Sequence, residues 1–420
     1  MERLKPKTIA MVLAGGRVDE LNVLTRYRPK SAVPFGGFAR VIDFPLSNLM
    51  SSGIERVAIL AQYRSFSLIN HIGSGASWDM VGRNRGVSIL PPSKGYGPNA
   101  WYRGSADAVY QNLDFVALHQ PREVLVLSGD HVYQMDYRPL IAYHRAKEAD
   151  LTIACLRVPI TEAHRFGVAE VGEEDGETGG RVLRYKEKPA RPRFCWASMT
   201  IFCFRPEVLA EVLAVNAAED DSFEFGRDII PRLLHERKRI YGYKFYGYWG
   251  YTRTLEEYWQ TSMDLLGPAP RLKIEEWGIR TNLEHRHIRD CQPLRVGSGA
   301  FIQNSLVYNG CVVEGRVENS ILFPGVRVEK GAVVKDSVIF FQTRIGRNSR
   351  LEKVVSDVNN VIGAGARIGE EAPPGGKEVT VLGWSNIIPE DAVIGSDCTI
   401  YPALKPEKIG KRIRTGEIVR

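Results

Sequence analysis

The chain has 420 residues, of which 44% are hydrophobic and 25% charged, and its net charge is +7 at pH 7. This is a globular composition with room for two or three domains, and no apolar stretch approaches the roughly 20 residues of a membrane span. The basic residues are dispersed, which argues against nucleic-acid binding and fits small anionic ligands. The N-terminal MERLKPK leads straight into a predicted strand without a secretory apolar region, so we expect a cytoplasmic protein.

The cysteine pattern predicts neither a disulfide framework nor a zinc site. Six cysteines are spread along the chain with no CxxC pair, and we expect buried free thiols. His285, His287 and Cys291 lie close together in sequence. Such a trio in a polar linker is more often solvated surface than a metal site.

The first predicted strand is followed by a loop whose chemistry is contradictory. After the apolar run Ile9–Ala14, Gly15 and Gly16 allow a sharp turn that offers backbone N–H groups to an anion. Asp19 and Glu20 follow. At an effective dielectric of about 20 and a separation of about 5 Å, one carboxylate repels each phosphate charge by about 3 kcal/mol. This loop is a poor partner for a triphosphate unless the acids point away.

Short apolar strands alternate with helical patterns from residue 7 to about 265. This alternation predicts a mostly parallel sheet with helices on both sides. Ligands bind such sheets at the carboxyl ends of the strands, where Gly15-Gly16 and Gly129-Asp130 would both lie. Ser105 is predicted to cap a helix with Val109, Leu113 and Val116 on one face, and Thr254 to open another. The predicted strands are Ile9–Ala14, Val57–Ala61, Val124–Ser128, Leu151–Leu156, Ile201–Phe204 and Ile240–Phe245.

The hydrophobic period changes after the segment Gly267-Pro268-Ala269-Pro270. Apolar residues then recur every six positions with glycines at turn-like places, which is typical of a parallel β-helix. Val333, Ile339, Ile345 and Leu351 are expected to stack inside it. We therefore predict domains at 1–265 and 294–420 joined by a linker at 266–293. The open ends of the β-helix predict capping or subunit packing.

Ten ordered segments carry a family resemblance. They are LAGG at 13–16, RVIDFPLSN at 40–48, AQY at 61–63, WYRGSADAVYQN at 101–112, SGDHVY at 128–133, FGV at 166–168, EKP at 187–189, ASM at 197–199, FGRDIIP at 225–231 and TLEEYW at 254–259. Together they resemble the nucleotide-sugar pyrophosphorylases, most closely the ADP-glucose pyrophosphorylase (glucose-1-phosphate adenylyltransferase) family. The resemblance implies an α/β nucleotidyltransferase fold followed by a hexapeptide-repeat β-helix. It also implies a Mg²⁺-dependent reaction in which ATP and glucose 1-phosphate give ADP-glucose and pyrophosphate. The ADP-glucose would serve glycogen synthesis.

The same resemblance assigns site residues. The sugar phosphate would be held by Tyr102, Gly167, Glu187, Lys188 and Ser198, with Lys188 on its phosphate and Glu187 on its hydroxyls. The nucleotide pocket would be lined by Gly15, Gly16, Gln62 and Gly104. Asp130 would hold the metal. The alternative is structural: turn-forming glycines, a packed Tyr102, and Lys188 paired with Glu187 on a surface.

Two family elements are altered in this chain. Where the family loop continues Gly-Thr-Arg-Leu, this chain places Glu20 at the position of the arginine that stabilises the triphosphate. Where the family has Arg-Asp-Val-Gly-Thr, Tyr251 replaces the second aspartate on Mg²⁺. Asp130 thus lacks its acidic partner, and one carboxylate holds a hard cation loosely. Thr200 also replaces a glycine, so we expect a side chain that crowds the sugar.

The family's effector site is a basic cluster that binds sugar phosphates and similar anions, and it is partly kept. Arg28, Lys30, Arg40 and Gln62 match it, whereas Tyr27, Pro34 and Leu118 occupy positions that are basic in some members. An equal alternative for Arg28 and Arg40 is a solvated basic face.

These departures favour a homologue with crippled catalysis, acting as a regulatory subunit in a homo- or hetero-tetramer with an active paralogue. The rival interpretation is a working adenylyltransferase that uses Arg17 or Arg253 in place of the missing arginine. An acyltransferase built on the β-helix is disfavoured, because the β-helix is short and its rungs lack histidine. The expected partners are glucose 1-phosphate, ATP or ADP-glucose, and an anionic effector, with no nucleic acid and no membrane.

Overall fold

The computed structural model of the protein describes residues 7–16, 18–93, 101–219, 222–370 and 378–420, with no side chains at 285–287. These residues form two compact units. The first contains 7–16, 44–65 and 72–248, and the second contains 18–43, 66–71 and 249–420. Residues 18–43 and 249–265, which the sequence places in the predicted first domain, therefore belong to the same compact unit as the β-helix.

The α/β part of the chain alternates strands with short helices. Its strands are β1 (Thr8–Leu13), β2 (Pro34–Phe35), β3 (Ala39–Arg40), β4 (Arg56–Leu60), β5 (Gly86–Leu90), β6 (Glu123–Ser128), β7 (Val132–Tyr133), β8 (Leu151–Arg157), β9 (Gly167–Val171), β10 (Gly179–Glu187), β11 (Trp196–Phe204), β12 (Ile240–Phe245) and β13 (Trp249–Gly250). Its helices are α1 (Asp43–Ser51), α2 (Phe66–Ile72), α3 (Ser105–Tyr110), α4 (Leu113–His119), α5 (Tyr137–Ala146), α6 (Pro206–Ala218), α7 (Ile230–His235) and α8 (Leu255–Met263). A π-helical turn, Phe225–Ile229, precedes α7.

The first unit is built on one nine-stranded sheet in the order β5-β4-β1-β6-β11-β8-β12-β10-β9. The half from β5 to β6 is parallel, whereas β11, β10 and β9 make antiparallel pairs, so the sheet is mixed rather than mostly parallel throughout. Strands β1 and β6 are in register from Thr8 to Leu13, and the Gly129 N–H donates to the Leu13 carbonyl at 2.9 Å. Both predicted ligand-binding turns therefore follow the carboxyl ends of neighbouring parallel strands, as expected.

Of the two helix starts predicted from the sequence, one is confirmed and one is wrong. Thr254 caps α8 with a complete capping box, in which its hydroxyl accepts from the Glu257 N–H and the Glu257 side chain accepts from the Thr254 N–H. Ser105 was wrong as a cap, because Gly104 takes the N-cap position of α3 and the Ser105 hydroxyl donates to Glu224 at 2.5 Å. The single predicted helix is also two helices, α3 and α4.

The second unit contains the predicted parallel β-helix, whose short strands form three sheets. The first sheet has β14 (Arg295–Val296), β17 (Val312–Val313), β20 (Arg327–Val328), β23 (Arg344–Ile345), β26 (Val361–Ile362) and β29 (Ile387–Ile388). The second sheet has β15 (Phe301–Gln303), β18 (Arg316–Glu318), β21 (Val333–Lys335), β24 (Arg350–Glu352), β27 (Arg367–Glu370), β30 (Val393–Gly395) and β32 (Arg412–Ile413). The third sheet has β16 (Leu306–Val307), β19 (Ile321–Leu322), β22 (Val338–Ile339), β25 (Val354–Ser356), β28 (Thr380–Leu382), β31 (Thr399–Ile400) and β33 (Ile418–Val419). A helical turn, α9 (Pro406–Ile409), precedes β32.

The six-residue period corresponds to one side of a three-sided rung. Val328, Ile345 and Ile362 are register partners, so a full rung here takes 17 residues. Ile339, Ile345 and Leu351 are buried as predicted, one on each side. Val333 was wrong: it is only half-buried, and its neighbour Val334 fills the core. Strand alternation explains the error, because adjacent residues point to opposite faces.

The sequence predicts no membrane span, no disulfide and no zinc site, and the structure bears on these points for the described residues. No helix among the described residues is long and apolar enough to cross a membrane. The six cysteines, all among the described residues, form no disulfide; four are buried and two, Cys195 and Cys291, are half-buried. Within the same residues, no three His, Cys, Asp or Glu side chains are placed to share a metal ion. The side chains of His285 and His287, two members of the predicted trio with Cys291, lie outside the described set.

Candidate functional site

In the first unit, the carboxylate of Glu187 lies in a space made by two glycines. A methyl group on Gly167 would collide with the Tyr185 hydroxyl and the Glu187 carboxylate, and one on Gly226 would collide with the same carboxylate. Tyr185 donates to Glu187 Oε2 at 3.0 Å. Burial, and then the Glu187 charge, raise the pKa of Tyr185 well above its usual value, so the hydroxyl remains a donor. The backbone is thus shaped around an acid that the resemblance assigns to the sugar hydroxyls.

Lys188 follows with an exposed side chain and a backbone φ of +43°. Its N–H donates to the Phe166 carbonyl at 3.0 Å, which fixes this left-handed turn beside Gly167. In the described part of the chain no carboxylate lies within ion-pair distance of its ammonium. Surface pairing of Lys188 with Glu187 was therefore wrong, and the ammonium keeps its capacity for an anion.

Tyr102 and Gln62 are held together beside the first glycine loop. The Tyr102 N–H donates to Gln62 Oε1 at 2.5 Å, and the Tyr102 hydroxyl donates to the Leu90 carbonyl at 3.0 Å. Burial raises the pKa of Tyr102. A Cβ on Gly15 would lie 2.8 Å from the backbone nitrogen of Gln62, so only glycine fits there. Two predicted nucleotide residues and one predicted sugar residue are thus brought together.

The remaining glycines of the predicted nucleotide pocket have different surroundings. A Cβ on Gly104 would collide with the Phe223 carbonyl, and the Ala106 N–H donates to that carbonyl at 2.8 Å. Gly16 has open space where a Cβ would point. Gly104 is therefore required by packing, whereas Gly16 leaves room at the end of β1.

Asp130 is partly exposed and bound by its neighbours. The Ser128 hydroxyl donates to Asp130 Oδ1, and His131 Nε2 lies 3.4 Å from the same oxygen. Asp130 provides one carboxylate, and it belongs to no group of three or more possible metal ligands among the described residues. Mg²⁺ typically takes one or two carboxylates and relies on substrate phosphates for the rest. The residues present thus fit the family's two-carboxylate site incompletely.

Thr200 lies at an irregularity in β11. The register between β11 and β8 shifts between Ser198 and Phe202, and Thr200 has a φ of +55° there. Its N–H lies 3.3 Å from the Ser198 hydroxyl oxygen, the acceptor. A β-branched residue in this region is strained, because its Cβ meets the following carbonyl. The glycine that the family has here would be free of that strain.

The two altered elements contact each other within the second unit. Arg253 Nε lies 3.0 Å from Glu20 Oε1, and Arg253 Nη1 donates to the Tyr251 hydroxyl at 3.3 Å. Lys30 Nζ donates to the Tyr251 carbonyl at 2.5 Å and lies 5.1 Å from that ring's centroid. We call these four residues the altered cluster. Arg17, the other predicted substitute, lies outside the described residues.

Within the altered cluster, Glu20 compensates the charge of Arg253. Burial lowers the pKa of Arg253, but hydrogen bonds and attraction from Tyr251 and Glu20 outweigh it and raise that pKa. Between Tyr251 and Arg253, Thr252 is 1% exposed with a φ of +47°, and its hydroxyl has no hydrogen-bond partner in the described chain. A strained residue with an unsatisfied hydroxyl persists only where its surroundings hold it. The packing of the cluster thus fixes an unfavourable backbone.

The three cations predicted for the effector site are buried. Arg28 Nη2 contacts both Asp357 oxygens at 2.9 and 2.7 Å, and Asp357 is fully buried. Arg40 donates to the Ala32 and Ser67 carbonyls at 3.3 and 3.2 Å. The alternative of a solvated basic face is therefore wrong. An effector anion at Arg28 would have to compete with Asp357.

Comparison with known proteins identifies the family of this chain. A family described as Nucleotidyl transferase matches residues 9–267, and one described as GlmU-like, C-terminal hexapeptide matches 295–382. Three of the similar proteins are named glucose-1-phosphate adenylyltransferase. The one from Thermotoga maritima is 43% identical to this chain over 425 aligned positions, which cover 98% of both chains. The one from Desulfitobacterium hafniense strain Y51 is 39% identical over 393 positions, which cover 93% of this chain and 97% of the relative. The relative from Clostridium perfringens strain SM101 is 40% identical over 403 positions, covering 94% and 99%. The chain belongs to the glucose-1-phosphate adenylyltransferase family.

Within this glucose-1-phosphate adenylyltransferase family member, the sequence did not reveal several partners of the site. Gly226 and Tyr185 shape the space around Glu187, and Asp357 holds Arg28. Tyr185 could have been found, because residues two apart on a strand share a face. Gly226 lies in the FGRDIIP segment, but nothing there indicates which side chain it makes room for. Asp357 is 329 positions from Arg28 and has no local signal.

Proposed function

We propose that this protein is an ADP-glucose pyrophosphorylase homologue of glycogen synthesis that is weakly active or inactive alone and acts as a regulatory subunit. In this proposal it assembles into a tetramer with an active paralogue and responds to an anionic effector. The family reaction is the transfer of the ATP adenylyl group to glucose 1-phosphate.

The observation that carries the proposal is the ion pair between Glu20 and Arg253. These positions hold an arginine and a glycine in the family pattern, so the positive charge expected at 20 has become negative and a new cation neutralises it. Losing a charge-stabilising arginine in phosphoryl transfer costs about 10³–10⁵ in rate. Tyr251 adds the loss of a metal carboxylate. Two such losses leave little activity even when they are not additive.

The sugar-phosphate side supports retained binding. Glu187 lies in its two-glycine space, Lys188 is exposed without a carboxylate partner among the described residues, and the sequence keeps Ser198 and Tyr102. A subunit that binds glucose 1-phosphate without turning it over can still report substrate levels to a partner. The binding half and the catalytic half have thus diverged separately.

The rival proposal is an active adenylyltransferase that uses a substitute cation. Arg253 supports it to the extent that its guanidinium is charged and its side chain is 39% exposed. However, Glu20 neutralises that charge, so use of Arg253 on a phosphate requires Glu20 to release it. Arg17, which lies outside the described residues, supports the rival proposal only by its position in the sequence.

The deciding experiment restores both altered elements together. Val18→Gly, Asp19→Thr and Glu20→Arg in the loop, combined with Tyr251→Asp and Arg253→Gly, should raise ADP-glucose synthesis at least about 10²-fold over the unmodified chain. Glu20→Arg alone is the matched control, and it should gain little because it places two arginines against each other. Robust ATP- and Mg²⁺-dependent turnover by the unmodified protein, abolished by Arg17→Ala or Arg253→Ala, would establish the rival.

A further inference from the structure

The first unit carries a cleft of about 690 Å³ at β8, β9 and β11, which we call the Trp196 cleft. Its lining includes Arg157, Ile160, Glu170, Arg193, Phe194 and Trp196. None of the residues predicted for the sugar phosphate, nucleotide or metal lines it. Its volume lies within the range of about 300–1,000 Å³ that is usual for small-molecule sites.

The charges of the Trp196 cleft favour an anion. Arg157 ends β8 and Arg193 precedes β11, and both are exposed with no carboxylate within ion-pair distance in the described chain. The acid that lines the cleft, Glu170, has its Oε2 3.5 Å from Arg184 Nε. Two arginines and one acid therefore line the cleft, which gives the lining a net positive charge. Planar guanidinium groups suit phosphate oxygens, to which they can donate two parallel hydrogen bonds.

The apolar wall of the cleft favours a ring. Trp196 is half-buried and held from two directions, with the Tyr246 ring 6.2 Å away edge-on and Lys244 Nζ 5.4 Å from its centroid. Lys244 is itself fixed by donating to the Gly176 carbonyl at 2.7 Å. Phe194 and the 48% exposed Ile160 extend the apolar surface. A rigid aromatic wall beside unpaired arginines is suited to a ligand with both a ring and an anionic group.

The Trp196 cleft is separate from the predicted sugar site but shares two strands with it. Trp196 and Ser198 are two residues apart on β11, and Ala169, a lining residue, and Gly167 are two apart on β9. Residues two apart on a strand share a face at a spacing of about 7 Å. The Trp196 cleft therefore neighbours the predicted sugar site on the same face of the sheet, but different side chains line it, so each place can be altered by its own substitutions.

We propose that the Trp196 cleft binds a small phosphate monoester with a planar ring. Arg157 and Arg193 bind its phosphate, and Phe194 and Trp196 pack against its ring. This assignment does not depend on whether the protein is catalytically active.

Calorimetry with 4-nitrophenyl phosphate tests the assignment, in the presence of saturating glucose 1-phosphate to fill the sugar site. The wild-type protein should bind the probe with a dissociation constant of about 1 mM or tighter. Arg157→Ala and Arg193→Ala should each weaken binding about tenfold, the effect of one exposed charge-assisted hydrogen bond. Arg191→Ala, an exposed arginine two residues from Arg193 that does not line the cleft, is the matched control and should leave binding unchanged.

Two further comparisons make the result decisive. Phe194→Ala should weaken 4-nitrophenyl phosphate but not inorganic phosphate, because only the former has a ring. Lys188→Ala should reduce glucose 1-phosphate binding and leave the probe unaffected. Absence of binding at 10-fold the stated concentration, about 10 mM, or loss of the probe in Lys188→Ala but not in Arg157→Ala, would overturn the proposal. Neither outcome would bear on the regulatory-subunit proposal, which rests on the altered cluster.

Discussion

The cations predicted to bind anions have opposite environments in the two units. In the first unit, Lys188 is exposed and no carboxylate among the described residues pairs with it, whereas in the second Arg28, Lys30 and Arg253 all have internal partners. All four were candidates for anion binding from sequence. The difference shows that a basic residue indicates an anion site only when the fold leaves its charge uncompensated.

The largest expected effect tests whether Arg28 is structural. Asp357→Ala leaves a buried guanidinium without its carboxylate and should lower stability by about 3–5 kcal/mol. Thermal unfolding measures it, and Arg28→Met combined with Asp357→Leu should recover much of the loss by removing both charges. An Asp357→Ala protein that melts like the wild type and gains affinity for anions would instead make Arg28 a ligand-binding residue.

The exposed cation of the first unit should affect binding rather than folding. Lys188→Ala should weaken glucose 1-phosphate binding by about 1.5–3 kcal/mol, the usual contribution of a hydrogen bond to a charged group. Calorimetry measures it, with Lys186→Ala as the control because Lys186 is also exposed and lies two residues away on β10. Equal affinities in the wild type and Lys188→Ala would mean that the Glu-Lys-Pro segment is structural only.

A smaller effect should come from the strained position beside the sugar residues. Thr200→Gly should stabilise the protein by about 1 kcal/mol, because relief of a left-handed β-branched residue exceeds the entropy cost of glycine. Thr161→Gly is the control: Thr161 is not among the residues with positive φ, so this change should be neutral or destabilising. A destabilised Thr200→Gly protein would show that the threonine side chain makes contacts that outweigh its strain.

The smallest effect is expected for the altered cluster itself. A double-mutant cycle with Glu20→Gln and Arg253→Gln should give a coupling of about 0.2–1 kcal/mol, because both side chains are more than a third exposed. Unfolding measurements at low and high salt provide the readout, since screening weakens exposed pairs. Zero coupling at low salt would mean that the two charges do not stabilise each other in solution.

Periodic signals in the sequence predicted the fold well. Strands β1, β6 and β12 and the β-helix follow from apolar runs and six-residue spacing, because burial of a repeating face leaves its period in the sequence. Val333 was misplaced because adjacent valines satisfy the same hydrophobic pattern and only the register separates them. Ser105 was misplaced because Gly104, pressed against Phe223, takes the cap position instead.

The site was predicted only as far as motifs identify residues. Glu187 and Lys188 followed from the family pattern, but their opposite environments did not. The partners of Arg28 and Arg253 are 329 and 233 positions away in sequence, so no local pattern relates them. Charge compensation over such separations is a property of the folded chain.

The pair of Glu20 and Arg253 also constrains how this protein can change. Arginine at 20 alone meets Arg253, and glycine at 253 alone removes the Arg253 cation from Glu20, so each single change is electrostatically unfavourable. Under the proposed function, a library of single substitutions selected for ADP-glucose synthesis should therefore return nothing at either codon. A library that varies the loop at 18–20 together with positions 251 and 253 is the one in which that proposal expects a gain of synthesis.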